Sequence, residues 1–152
     1  MLKLLETLRK QSADASDRAR RSELGQFLTP KPVAEFMASM FDLGGHESIQ
    51  LLDAGAGIGT LSIAFREEFR KWGVGESNLN IVAYEVDPVV REKLSEIFGC
   101  LSNTSEVAAE IRPQDFVEDA VHQVLFDRKT PYTHSILNPP YKKVHSDSNH
   151  RS

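Results

Sequence analysis

The sequence contains a single cysteine, Cys100, and no long apolar run. One thiol can form neither an internal disulfide nor a thiolate metal cluster, so we interpret Cys100 as an inert thiol. No apolar stretch approaches the roughly 18 residues that a membrane span requires. The N-terminus mixes acidic with basic residues, unlike a signal or transit peptide. Together these absences predict a cytoplasmic protein.

An excess of positive charge is also missing. The net charge is -4 and the pI is about 5.7, whereas a protein that grips nucleic-acid phosphates unaided normally carries a basic face. If DNA is the substrate, we expect most of the grip on it to come from outside this chain. The composition, 40% hydrophobic and 26% charged over 152 residues, is ordinary for one domain with one core.

The chain divides into three segments. Leucines near the start form an apolar stripe on a helix predicted from about residue 2 to 22, whose later part is charged, so we expect residues 1–24 to be an N-terminal helical arm. Residues 25–141 read as one folded domain. Residues 142–152 are polar and are predicted to be a loop-like tail.

Strands and helices alternate within the domain, which predicts an α/β fold with a mostly parallel, doubly wound sheet and helices on both faces. The first helix follows Thr29, the predicted N-cap, and its apolar residues are expected to share one face. These apolar residues are Val33, Phe36, Met37, Met40 and Phe41. Later helices are predicted over Leu61–Trp72, Pro88–Phe98 and from Asp115 to about Phe126. The predicted strands are Ile49–Leu52, Asn80–Tyr84, Ala109–Arg112 and Thr133–Leu137, so the sheet has about four strands and is incomplete.

A glycine turn follows the first strand, where α/β folds bind nucleotides. It runs from Asp53 through Gly55, Gly57 and Gly59 into a helix. The carboxylate of Asp53 would repel a pyrophosphate, whereas the ammonium and sulfonium of S-adenosylmethionine are positive and suit it. Glu85 ends the next strand, where a carboxylate can accept hydrogen bonds from ribose hydroxyls. The alternative is a plain tight junction, with Glu85 as a solvated turn residue.

A second motif, Asn138-Pro139-Pro140-Tyr141, ends the fourth strand. The amino group of adenine is a poor nucleophile, and two acceptors aimed at its N–H bonds can draw its lone pair toward a methyl donor. The Asn138 side chain and the Pro139 carbonyl supply such acceptors, the prolines make the turn rigid, and Tyr141 offers a face for base stacking. The alternative is a simple chain-breaking turn. This chemistry requires no metal and no covalent intermediate.

The two motifs gain specificity from their expected positions. If the first strand neighbours the fourth, their carboxyl ends border the same crevice. Asp53 and Asn138 would then be near neighbours, and the methyl donor and the target amine would be brought together by topology.

With these residues, the chain resembles the adenine-N6 DNA methyltransferases of restriction-modification systems, in the motif order of their gamma class, over roughly residues 22–145. The resemblance implies a Rossmann-like, S-adenosylmethionine-dependent methyltransferase fold. It also implies that Phe27 and Thr29, within Gly25–Pro30, contact the cofactor, although Thr29 as an N-cap is equally compatible with the sequence. Asp115 and Phe116 resemble the pair that binds the cofactor's adenine, although alone they would be a helix cap and a core residue.

The resemblance carries expectations about the rest of the protein. Family members continue with further strands and with a C-terminal domain that recognises double-stranded DNA, so we expect this chain to be an N-terminal fragment, inactive by itself. A fused or partner restriction endonuclease is a further expectation. Two alternatives stay open: methylation of protein glutamine or RNA guanine amino groups, and an inactive module that binds S-adenosylmethionine or serves as structure.

Overall fold

The computed structural model describes residues 29–43, 46, 48–73, 78–102, 107–126 and 131–139. The predicted helical arm over 1–24 and the polar tail over 142–152 lie outside these ranges, as do Phe27, Pro140 and Tyr141. None of the helices in the described ranges has the length and apolar character needed to cross a membrane.

The described elements alternate between helix and strand and form one four-stranded sheet. In chain order they are α1 (Lys31–Ser39), β1 (Ile49–Ala54), α2 (Thr60–Lys71), β2 (Leu79–Tyr84), α3 (Pro88–Ser102), β3 (Ala108–Arg112), α4 (Phe116–Leu125) and β4 (His134–Ser135). The strand order is β3-β2-β1-β4 and every pairing is parallel. The α/β doubly wound fold is therefore confirmed, including the predicted neighbourhood of the first and fourth strands.

The fourth strand is shorter than predicted. Only His134 and Ser135 are assigned to it, paired with Leu51 and Leu52. One more ladder bond follows, from the N–H of Ile136 to the carbonyl of Leu52 at 2.9 Å. Pro139, three residues later, has no N–H with which to continue a ladder.

The sheet buries its two faces unequally. Alternate strand residues such as Leu51 and Ile81 face the main core, which α1, α2 and α3 cover. Leu52, Val82 and Tyr84 face the other side, where Phe116 and Tyr132 pack against them. The larger core therefore lies on the face of the sheet that α1, α2 and α3 cover, and it includes Ile136 directly after β4.

Helix α1 departs from the prediction in part at its apolar face and fully at its N-cap. Its buried residues are Ala34 and Ala38, while Val33, Phe36 and Met40 are exposed. Of the predicted apolar residues, Met37 and Phe41 are partly buried against the core. The Phe41 ring packs edge-on against Phe65 of α2, with ring centroids 5.0 Å apart. The N-cap is Pro30 and not Thr29, and no side chain caps the helix. The hydroxyl of Thr29 is directed elsewhere, as described below.

Candidate cofactor and catalytic site

A notch of about 30 Å³ lies where the end of β1 meets the chain after β4. That volume holds roughly one water molecule, so the notch is the floor of a surface site rather than an enclosed pocket for a large ligand. Four predicted site residues line it, Thr29, Gly55, Gly57 and Asn138, together with Ala56, Thr60 and Leu61. The structure thus brings the glycine turn and the asparagine of the second motif together, as the sequence predicted.

The backbone of the glycine turn is occupied by bonds inside the protein. The N–H groups of Gly55 and Ala56 donate to the carbonyl of Tyr84 at 3.0 and 2.8 Å, and the N–H of Gly59 donates to the carbonyl of Ala56 at 2.9 Å. A phosphate-binding loop instead presents its N–H groups to the ligand. This arrangement argues against a pyrophosphate site, in agreement with the nearby carboxylates.

Glycines of the turn serve two different purposes. Gly55 and Gly59 both have positive φ angles, +76° and +80°, which side chains rarely adopt. A Cβ at Gly59 would lie 2.8 Å from Cδ1 of Leu94 and 3.1 Å from Cε1 of Phe98, so this glycine allows α2 to pack against α3. A Cβ at Gly55 would have no atom within 4 Å. Gly55 therefore leaves open space at the notch, where a ligand can approach the backbone.

Asp53 is completely buried beneath the turn. Its Oδ2 accepts hydrogen bonds from the hydroxyl and the N–H of Ser62, at 2.6 and 3.2 Å. Its Oδ1 is buried with no partner among the described residues. Burial raises the pKa of Asp53 from 3.8 to about 7. The Asp53 side chain therefore connects β1 to α2 beneath the glycine turn. Because it is buried, the backbone of the turn would separate it from a bound ligand.

Glu85 connects the glycine turn to the end of β2. Its Oε2 accepts from the N–H of Gly57 at 2.9 Å, and its Oε1 accepts from the N–H of Asp87 at 2.8 Å. Burial raises the pKa of this carboxyl group above its usual range, while the two backbone donors oppose the change. The position at a strand end is the one predicted for a ribose acceptor.

Asn138 is half-buried and bonded to a residue 109 positions earlier in the chain. Its Nδ2 donates to Oγ1 of Thr29 at 3.1 Å. Because the amide nitrogen is engaged in this bond, the carbonyl oxygen Oδ1 is the end of the side chain that remains to accept a hydrogen bond. Pro139 is exposed beside it.

Asp115 and Phe116 lie at the start of α4 and not among the residues of the notch. Asp115 is the N-cap, since its Oδ1 accepts from the N–H groups of Val117 and Glu118 at 2.7 and 3.3 Å. Phe116 packs edge-on against Tyr84, with ring centroids 5.2 Å apart. The cap considered from the sequence is therefore present, and Phe116, considered as a core residue, is partly buried. Within the described ranges, Oδ2 of Asp115 accepts no hydrogen bond.

Thr60 and Leu61 line the notch but received no role from the sequence. They are the first two residues of α2, where backbone N–H groups have no carbonyl partner within the helix. A helix that begins directly after a ligand-binding turn favours anionic groups at its N-terminus. The start of a predicted helix after the glycine turn could therefore have identified Thr60 and Leu61 as site residues. Within the described ranges, no group of three or more His, Cys, Asp or Glu side chains could hold a metal ion.

Comparison with known proteins gives the family. The sequence model of the N-6 DNA Methylase family matches residues 11–152. The chain belongs to the N-6 DNA Methylase family. Its resemblance to adenine-N6 methyltransferases of restriction-modification systems is thus confirmed at the level of the family.

Two relatives show how much of an N-6 DNA Methylase this chain represents. It is 36% identical over 158 residues to the type II methyltransferase M.BsuBI of Bacillus subtilis, covering 99% of this chain and 31% of the relative. It is 32% identical over 157 residues to the type II methyltransferase M.PstI of Providencia stuartii, covering 98% and 30%. The chain spans about a third of the length of these relatives.

Solved structures support the fold of this N-6 DNA Methylase domain. A Pyrococcus horikoshii protein classed as an RNA methyltransferase matches with a TM-score of 0.53 and 22% identity, over 76% of this chain and 49% of that one. A modification subunit of a protein classed as a type I restriction enzyme, from Vibrio vulnificus, matches with a TM-score of 0.50 and 21% identity, over 74% and 22%. Both matches confirm the Rossmann-like fold.

Proposed function

We propose that this chain is the cofactor-binding and catalytic part of an S-adenosylmethionine-dependent methyltransferase that modifies the N6 amino group of adenine in DNA. The observation that carries the proposal is the presence of Asn138 and the glycine turn in one notch. The family and the type II methyltransferases among its relatives favour DNA adenine as the substrate. In this proposal residues 25–141 are the S-adenosylmethionine-binding domain, and the protein works in the cytoplasm, where its DNA substrate lies.

The residues around the notch fit this cofactor. Open space beside Gly55 allows close approach to the backbone, and the buried acidic groups of Asp53 and Glu85 offer a phosphate no positive charge. Glu85 would hold the ribose, and the N–H groups of Thr60 and Leu61 would receive the carboxylate of the methionine part. Asp115 and Phe116 would bind the adenine ring, while Phe27 and Thr29 would contact the methionine end. When bound, S-adenosylmethionine supplies a methyl group activated by its sulfonium.

Asn138 would act on the target amine. Its Oδ1 accepts an N–H of that amine, and the Pro139 carbonyl accepts the other, so the nitrogen lone pair is directed away from both acceptors. Thr29 orients Asn138 by engaging its Nδ2, and a fixed acceptor loses little free energy to reorganisation during the reaction. Pro140 would keep the turn rigid and Tyr141 would stack on the base once it leaves the duplex.

DNA binding is proposed to depend mainly on parts of the protein outside these 152 residues. The net charge of -4 is unfavourable for holding phosphates. A C-terminal recognition domain and a fused or partner restriction endonuclease would complete the system. By the same reasoning, the 152-residue chain alone would have little activity.

The test is transfer of labelled methyl groups to DNA by the complete protein, including any residues that flank this chain. Asn138→Ala should lower the rate by about 100-fold, by analogy with the loss of a group that stabilises the transition state elsewhere. Asn78→Ala, at an exposed asparagine outside the notch, is the matched control and should keep the rate. Calorimetry should find S-adenosylmethionine bound by all three proteins. An Asn138→Ala variant with full activity would contradict the assignment.

A further inference from the structure

A hydrogen-bonded cluster lies on the sheet face opposite the main core, and the chemistry proposed above does not use it. We call Tyr84, Arg112, Asp119 and Tyr132 the Tyr84 cluster. The Tyr84 hydroxyl donates to Oδ2 of Asp119 at 2.5 Å and accepts from Nη1 of Arg112 at 2.7 Å. The Tyr132 hydroxyl lies 3.1 Å from that of Tyr84 and accepts from the same Arg112 nitrogen at 3.2 Å. The cluster joins β2, β3, α4 and the chain before β4.

Helix α4 depends on this cluster because apolar burial holds it weakly. It has no buried residue, and its apolar side chains face outward: Val117, Val121, Val124 and Leu125 are each at least 51% exposed. The described contacts that join its first turns to the sheet include the edge-on packing of Phe116 on the Tyr84 ring and the bond from Tyr84 to Asp119. They also include the ion pair between Arg112 and Asp119 at 3.6 Å.

Tyr84 is also connected to the glycine turn. Its backbone carbonyl accepts the N–H groups of Gly55 and Ala56, and the next residue is Glu85, whose N–H donates to the carbonyl of Arg112 at 3.1 Å. The same residue therefore contacts the turn through its backbone and α4 through its side chain. Tyr84 therefore links Glu85, the residue proposed to hold the ribose, with Asp115 and Phe116, which are proposed to bind the adenine.

The charges in the cluster keep these contacts in place at neutral pH. Burial raises the pKa of Tyr84, so its hydroxyl stays a donor. The hydrogen bond from Tyr84 holds the pKa of Asp119 below its usual range, so that side chain stays an acceptor. The guanidinium of Arg112 lies 5.4 Å from the centre of the Tyr84 ring and 3.6 Å from the Asp119 carboxylate. Its positive charge balances the negative charge of that carboxylate.

We propose that Tyr84 is a positioning residue that holds the start of α4 against the end of β2 and so sets where Asp115 and Phe116 meet the cofactor's adenine. This inference rests on the proposed function. It assigns to Tyr84 a part in recognising the 6-amino group of that adenine, through Asp115, although Tyr84 touches no part of the ligand in this scheme.

The experiment compares two ligands in the complete protein by calorimetry. S-adenosylhomocysteine carries the 6-amino group, and S-inosylhomocysteine carries an oxygen in its place. Tyr84→Phe keeps the ring that packs on Phe116 and removes only the hydroxyl. We expect it to lower the preference for S-adenosylhomocysteine by about fivefold, within the range typical of residues that act through others, while affinity for S-inosylhomocysteine stays within about twofold.

Two further variants separate positioning from general loss of structure. Asp119→Ala removes the acceptor from a partly buried position of α4 and should reproduce the loss of preference. Tyr132→Phe removes a hydroxyl from the same cluster but none of the described bonds to α4, and it should keep the preference. Circular dichroism checks that each variant is folded.

The outcomes distinguish this inference from the proposed function. Equal loss of both ligands in Tyr84→Phe, an unchanged preference, or no preference in the unmodified protein would overturn the positioning role while leaving cofactor binding intact. Failure of the folded, unmodified protein to bind either ligand would overturn the proposed function, and this inference with it.

Discussion

Gly55 and Gly59 allow the two purposes of the glycine turn to be separated by one pair of substitutions. Both residues have similar positive φ angles, so Gly55→Ala and Gly59→Ala share the backbone cost of a left-handed alanine, about 1–2 kcal/mol. They differ in what the new methyl group meets. At Gly59 it meets Leu94 and Phe98, and at Gly55 it meets open space at the notch.

The difference in stability follows from this contrast. A methyl group forced into a packed core costs about 1–3 kcal/mol, so Gly59→Ala should be less stable than Gly55→Ala by about 2 kcal/mol. In a domain of this size, that corresponds to a difference in Tm of about 4–8 °C. Binding of the cofactor is expected to show the opposite order, with the larger loss in Gly55→Ala, because its methyl group occupies the space where the ligand would lie. Its affinity for S-adenosylmethionine should fall by about tenfold, which is the size of a moderate steric conflict.

Thermal unfolding and calorimetry of the two variants in the complete protein measure both quantities. Gly59→Ala should have the lower Tm and should bind S-adenosylmethionine more tightly than Gly55→Ala at a temperature where both are folded. Equal Tm values would refute the packing role of Gly59. Unchanged affinity in Gly55→Ala would refute the placement of the ligand beside that residue.

Two other predictions concern Asp53 and Thr29. The folded protein keeps a proton on Asp53 up to about pH 7, whereas the unfolded chain releases it near pH 4. The free energy of unfolding should therefore fall as pH rises from 4 to 7. The expected fall is on the order of 4 kcal/mol relative to Asp53→Asn. Parallel pH profiles from urea unfolding of the two proteins would show that Asp53 is not responsible. Thr29→Val should lower the rate of methyl transfer by about tenfold, because the Asn138 side chain loses its hydrogen-bond acceptor. Thr29→Ser keeps that acceptor and should retain the rate. Equal rates for the two variants in a methyl-transfer assay would contradict the orienting role of Thr29.

Much of the topology could be predicted from the sequence because each strand is a short apolar run that ends in a polar or glycine-rich turn. This pattern located β1, β2 and β3 to within three residues and predicted a parallel sheet. It also brought the end of β1 and Asn138 to one edge, since parallel strands share the direction of their carboxyl ends. The strand preceding Asn138 was predicted to be longer because its apolar residues continue to Leu137, although the ladder ends with Ile136.

Contacts between distant residues could not be predicted in the same way. The bond between Thr29 and Asn138 spans 109 positions, and local pattern alone made Thr29 a helix cap. The pairing of Asp53 with Ser62 and the bond from Tyr84 to Asp119 depend on how helices sit on the sheet. On α1, hydrophobicity predicted neither the exposure of Val33 and Phe36 nor the burial of the small side chains of Ala34 and Ala38.

The central claim is that the notch around Asn138 directs a methyl group to the N6 amino group of adenine in DNA. The most direct measurement incubates the complete protein with labelled S-adenosylmethionine and double-stranded DNA, digests the DNA to nucleosides and identifies the labelled product by mass spectrometry. We expect N6-methyladenine from the unmodified protein and almost none from Asn138→Ala. Label on cytosine, or DNA without label, would contradict this claim.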